Sequence, residues 1–168
     1  PGAEEERVLD VALVLHADHD MNASTFAARV TCATLSDMHS AITSAVGTLK
    51  GPLHGGANQQ VMETLLKLGD ISQIEPYAKA QLAKKEKVAG FGHRVYKTTD
   101  PRAPILAALS EKLGKKAGDT RWIEMSRKLE EVMVREKQLY PNVDLYSASC
   151  FYSMKIPVDI FSALFAVS

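Results

Sequence analysis

The chain has no excess charge of either sign. Its 168 residues carry 20 basic and 20 acidic side chains, with pI near 7.4. A nucleic-acid partner is therefore not expected, because binding polyphosphate calls for a basic face that releases counterions. The main basic cluster, Lys84, Lys85 and Lys87, is interrupted by Glu86 and reads as a solvated helix end. Cysteine is scarce as well. Cys32 and Cys150 form no Cys-x-x-Cys pair and follow no secretory leader, which fits a reduced, cytoplasmic setting. No apolar run approaches the ~20 residues that span a bilayer, and the segment 160–167 is far too short, so no membrane partner is expected. Internal repeats, low-complexity tracts and Gly/Ser linkers are missing, and so is the sustained alternation of a half-buried strand.

What is present is helical periodicity. Residues 4–16 place Val8, Leu9, Ala12, Leu13 and Leu15 near one face, with acids in the first turn. A second helix is expected after a cap at Asn22 or Ser24, continuing through Val46 before Gly47. A short helix over 59–68 should stop at Gly69, and Ser72 with Glu75 reads as a capping box opening a helix to about Lys85. Pro104 suits the first turn of a helix to about Lys116; Trp122 to Leu139 follows, stopped by Pro141. Further helices are expected from Leu145 to Met154 and after Pro157. The expected class is all-α, with chemistry in the loops. Gly- and Pro-rich loops between 51 and 143 point to a smaller lobe set between residues 1–50 and 144–168 of a larger one. Residue 1 is Pro and the terminal segment 161–168 lacks a helix stop, so the chain reads as a piece of something longer.

Two histidines sit in glycine-framed strings, Gly-Pro-Leu-His54-Gly-Gly-Ala-Asn and Gly90-Phe-Gly-His93-Arg-Val-Tyr-Lys. Glycine lets backbone or ligand approach an imidazole closely, so the pair points to a proton-handling site. His54 precedes a helix start, where the dipole favours the neutral ring and a neutral N–H donor for a developing oxyanion. Arg94, Lys97 and Arg102 follow His93 and suit carboxylates or phosphates, but the glycine spacing matches neither a P-loop nor a dinucleotide fingerprint. In His16-Ala-Asp18-His19-Asp20 the chemistry stays open among a metal site, hydrogen-bonded histidines at a helix end and anion binding. Asp144, between a Pro-stopped helix and a new one, is most simply an N-cap when read alone.

Taken together, the strings LHADHDMNAS ending at Ser24, GPLHGGAN at 51–58, GFGHRVYKTTDPR at 90–102 and PNVDLYS at 141–147 resemble the citrate synthase family, in its order and over essentially the whole chain. The resemblance implies an all-α, multi-helical enzyme fragment comprising the small domain, approximately 51–143, and flanking large-domain helices in 1–50 and 144–168. It implies condensation of oxaloacetate with acetyl-coenzyme A and hydrolysis to citrate. By the same resemblance Asp144 removes a methyl proton, His54 stabilises the enol, and His93 polarises the oxaloacetate carbonyl. His19 and Arg102 hold substrate carboxylates. Val88, Ala89, Gly90, Phe91 and Gly92 border the adenine, and Lys97 approaches the coenzyme A phosphates. Coenzyme A enters only as co-substrate; neither a metal nor a resident cofactor is implied.

Family members are homodimers, or hexamers built of dimers, and continue past this C-terminus with a further carboxylate-binding arginine and a segment that completes the neighbour's site. The isolated chain is accordingly expected to be inactive. Relatives that make 2-methylcitrate from propionyl-coenzyme A share the same acid-base residues, and one methylene is worth only ~1–3 kcal/mol in a pocket. Arg94 resembles the citrate enzymes, whereas proline is common there in the other group. A helical assembly module without catalysis is the alternative from another class.

Overall fold

The computed structural model describes residues 2–17, 21–51, 54–93 and 95–168. Among them are nine α-helices and no named strand; an isolated antiparallel bridge joins Phe91 to Pro141. The all-α expectation holds. No described helix is long and apolar enough to cross a membrane.

The first helix, α1 (Ala3–His16), turns Val8 and Ala12 inward. The long second helix expected up to Gly47 is instead two, α2 (Ala23–Ala33) and α3 (Met38–Leu49). Periodicity carried on across the break, but the backbone does not. Leu35 takes φ +63°, and the Asp37 carboxylate accepts the Ser40 N–H at 3.0 Å to open a new helix. The two helices pack chiefly on each other and leave Phe26, Val30, Met38, Ile42 and Val46 exposed.

Next come α4 (Ala57–Leu68), stopped by Gly69 in the left-handed region, and α5 (Ile74–Lys84), which follows a 3-10 turn at Ile71–Gln73. The cap there is Asp70, whose side chain accepts the Ser72 N–H at 2.8 Å, rather than Ser72. Gly118 ends α6 (Arg102–Ala117), while α7 (Arg121–Lys137) stops at left-handed Gln138, three residues before Pro141. The chain finishes with α8 (Val143–Ser153), a 3-10 turn at Val158–Ile160, and α9 (Phe161–Val167).

At the centre is α8. Leu145 through Phe151 are all buried, so the helix is enclosed on every side, by α6, α4, α7 and α1. A helix with no solvent face shows no amphipathic stripe, and small side chains let its neighbours come close. Ser149 and Ser110 hydrogen-bond at 2.7 Å where α8 meets α6, and the Cys150 thiol donates to the Leu106 carbonyl at 3.3 Å. Around it pack Met62 and Leu65 of α4, Leu106 and Leu113 of α6, Leu129 and Met133 of α7, and Phe161 of α9. Each such large apolar side chain contributes ~1.5–3 kcal/mol on burial. The surface ion pairs, such as Arg135 to Glu75 at 2.7 Å, add little by comparison.

Candidate active site

The N-terminal turn of α8 is fixed by Asn142. Its carboxamide oxygen accepts the Asp144 N–H at 3.0 Å, and its amide nitrogen donates to the Gly92 carbonyl at 3.0 Å. One side chain thus caps the helix and holds the glycine loop. Two backbone bonds complete the seam, from Asn142 N–H to Gly90 O and from Gly92 N–H to Tyr140 O, both at 3.0 Å. Asp144, which residue preference alone makes a cap, is relieved of that task and its carboxyl faces a cavity.

This cavity has a volume of about 510 Å³ and is lined by His54, His93, Arg102 and Asp144, together with His16, Asn22, Ser24, Arg29, Asn142 and Phe165. Four residues from three separate sequence strings therefore meet at one place. His19 and Arg94 lie outside the described residues. Val88, Ala89, Gly90, Phe91, Gly92 and Lys97 are not among the cavity's lining; Val88 and Gly90 are buried, and Lys97 is exposed.

The two imidazoles are held in opposite tautomers. At His54 the Ser24 backbone N–H donates to Nε2 at 3.2 Å, so the neutral ring carries its proton on Nδ1. The Ser24 hydroxyl, 3.0 Å from the same nitrogen, has one proton to share between Nε2 and Asn22 Oδ1. At His93 the backbone N–H groups of Val95 and Tyr96 both donate to Nδ1 at 3.1 Å, which leaves the proton on Nε2. Burial lowers the His54 pKa below the ordinary imidazole value, which favours the neutral ring at physiological pH. Both histidines are thereby neutral N–H donors in a shared cavity.

Asp144 behaves differently. Burial pushes its pKa up to about 6; nearby Arg102 opposes the shift and Asp100 adds to it. A carboxylate that resists ionisation is a stronger base once ionised, and this value is placed for work near neutral pH. Arg102, at the start of α6, is gripped by Asp100, with Nη2 2.6 Å from Oδ2 and Nε 2.9 Å from Oδ1. One edge of its fork is occupied, Nη1 donates to the Leu15 carbonyl at 3.5 Å, and the residue lines the cavity.

His16 is the one described histidine or carboxylate of its string, since Asp18, His19 and Asp20 lie outside the described residues. Its Nδ1 donates to Ala12 O at 2.6 Å and its ring packs edge-on against Phe165 at 4.2 Å, which fits a hydrogen-bonded histidine at a helix end. Two of the glycines in these strings are required by packing, whereas Gly92 has open space where a Cβ would stand. At Gly55 a Cβ would run into the Leu49 carbonyl oxygen, and at Gly90, with φ +86°, it would meet Val61 at 2.9 Å and the Leu145 backbone at 3.1 Å. Sequence reading overlooked Ser24, Asn142 and Asp100 as site builders. Of these, only the i, i+2 spacing of Asp100 and Arg102 across Pro101 carried a usable signal.

The family model described as citrate synthase, C-terminal domain, matches residues 1–168. Citrate synthase 2 of Bacillus subtilis is 54% identical over 168 residues, covering 100% of this chain and 45% of its own length. The citrate synthase of Haloferax volcanii is 57% identical over 173 residues, covering 99% and 45%. Among solved structures, the ternary complex of carboxymethyl coenzyme A and oxaloacetate with the citrate synthase of Thermoplasma acidophilum superposes with a TM-score of 0.91 at 39% identity, over 99% of this chain and 46% of that one. The chain thus spans a little under half the length of these relatives. With all 168 residues inside the family match and the fold reproduced at this level, the chain belongs to the citrate synthase family.

Proposed function

We propose that these residues supply the acid-base half-site of an enzyme that condenses oxaloacetate with acetyl-coenzyme A and hydrolyses the resulting thioester to citrate and coenzyme A. The observation that carries this reading is the meeting of one partly buried carboxylate with two neutral imidazoles of opposite tautomer in a single cavity. Removing a proton next to a thioester needs a base and, at the same moment, a donor for the oxygen that becomes negative. Asp144 is the base and His54, through Nδ1–H, is the donor. The methyl carbon then attacks the oxaloacetate carbonyl, which His93 polarises through Nε2–H. Each oxyanion donor of this kind is worth ~3–4 kcal/mol of barrier.

Arg102 and His19 hold the keto-acid carboxylates on this reading, and residues 88–92 with Lys97 border the coenzyme. Residues 51–143 then form the smaller lobe. The exposed apolar face of α2 and α3 is where the remaining segments of the enzyme or a second subunit dock. The reaction calls for no resident cofactor, because coenzyme A arrives and leaves as the acyl carrier.

The test is oxaloacetate-dependent thiol release by a complete enzyme containing these 168 residues, with acetyl- and propionyl-coenzyme A compared. Turnover that is abolished in His54→Ala and in Asp144→Ala, with the fold retained, is expected. Unchanged turnover in either variant would overturn the assignment, and faster turnover of propionyl-coenzyme A would change the product to 2-methylcitrate. The 168-residue chain alone should show negligible condensation.

A further inference from the structure

Beneath the cavity lies a carboxylate to which the proposed chemistry assigns no role. Asp100 is wholly buried, yet it sits in the turn before α6 and not in the apolar core. Its Oδ1 accepts both the Arg102 backbone N–H at 3.0 Å and the Arg102 Nε–H at 2.9 Å, and its Oδ2 accepts Nε at 3.2 Å and Nη2 at 2.6 Å. Its own N–H is tied to the Pro141 carbonyl at 3.4 Å, on the segment that leads into Asp144. Between the two partners Pro101, at φ −61°, fixes the turn that puts both side chains on one side.

A buried ion pair is a weak device for stability, since desolvation consumes much of the Coulomb gain. Its effect on the site is clearer. With one edge of the guanidinium clamped by Asp100 and Nη1 donating to the Leu15 carbonyl, the fork cannot rotate, and Arg102 lines the cavity in one orientation. There is also a matter of charge. An arginine placed this near Asp144 would by itself stabilise the carboxylate and weaken the base. A second carboxylate at Asp100 offsets that field.

We propose that Asp100 is a positioning residue for the condensation: it aims the Arg102 fork at a keto-acid carboxylate and shields the basicity of Asp144 from the Arg102 charge. This rests on the function proposed above. Burial would raise the pKa of Asp100, but the hydrogen bonds from the Arg102 side chain and backbone outweigh it and hold the group below the usual carboxylate range, so its charge is present throughout the working pH. Among the described residues, the other titratable or charged groups lining the cavity with Asp144 are Arg102 on α6, His93 on the glycine loop, His54 before α4, His16 on α1 and Arg29 on α2.

Asp100→Asn keeps the acceptor for the Arg102 backbone N–H while deleting the charge. In the complete enzyme it should raise the oxaloacetate KM by ~10-fold or more, as loss of a charged hydrogen bond does. The acid limb of the kcat profile should also move to lower pH by about one unit. Asp100→Glu keeps the charge on a longer arm; its acid limb should stay in place while KM remains raised. A merely structural role would lower the folded fraction and move neither KM nor the limb. Wild-type KM and an unmoved limb in folded Asp100→Asn would overturn the proposal; if that variant does not fold, a wild-type KM in Asp100→Glu overturns it. Oxaloacetate binding by calorimetry separates the two readings. A wild-type enzyme without turnover sinks the proposed reaction, whereas an equal oxaloacetate Kd for Asp100→Asn and wild type sinks the role of Asp100.

Discussion

Replacing Asp144 with asparagine should make the protein more stable while removing its activity. The folded-state pKa of Asp144 is raised from 3.8 to about 6, chiefly by burial, so the folded protein holds this proton more tightly than the unfolded chain does. Linkage then gives the sign. Below the unfolded value the carboxyl is neutral in both states and costs nothing; above the folded value it is ionised in both, and the buried charge is a penalty. A shift of this size corresponds to about 3 kcal/mol. Asparagine retains shape and carries no charge, and the capping bond is made by the backbone N–H of residue 144, which the substitution leaves intact. Unfolding free energies of wild type and Asp144→Asn from denaturant titrations, measured at about pH 8 and again at about pH 4.5, should differ by nearly all of that amount at the first and by about a third of it at the second. A variant no more stable than wild type at the higher pH, or a gain that does not shrink in acid, would refute the claim that Asp144 is held ionised against its environment.

Substitutions at three further positions probe how the site is built. Ser24→Pro removes the backbone N–H that sets the His54 tautomer and should lower kcat by ~10²-fold, a typical cost for a lost oxyanion donor, whereas Ser24→Ala, which keeps the N–H, should cost far less. Steady-state thiol release distinguishes them, and equal losses would show that the hydroxyl matters instead. Gly90→Ala forces a side chain onto a positive φ and against the Leu145 backbone; a loss of ~2–4 kcal/mol in equilibrium unfolding is expected. Asn142→Ala removes both the α8 cap and the tie to Gly92, worth ~1–2 kcal/mol of stability, and should reduce kcat more than that loss of folded protein explains. A fall in activity matching the folded fraction would reduce Asn142 to a cap.

The helices were legible because their signals are local. Glycines after α4 and α6 and the apolar spacing of α1 are readable from neighbours in the chain. The break between α2 and α3 was not, since apolar periodicity runs through it and only the left-handed Leu35 and the Asp37 cap record the turn. The site shows the same division. His54, His93, Arg102 and Asp144 stand in conspicuous strings, and the cavity brings them together. What sets their chemistry is a backbone N–H from thirty residues away at His54, and a carboxamide reaching fifty residues back to Gly92. Every residue but proline has an N–H, so no side-chain pattern could have revealed the first.

The opposite tautomers make the two histidines, in effect, different amino acids. An asparagine side chain places its amide nitrogen about where imidazole Nδ1 stands, and a glutamine reaches about as far as Nε2. His54, which donates from Nδ1, is therefore mimicked by asparagine, and His93, which donates from Nε2, by glutamine. An exchange table that scores both positions as one residue type would treat the four possible amide replacements alike. The backbone around each ring separates them into two that preserve a donor and two that abolish it.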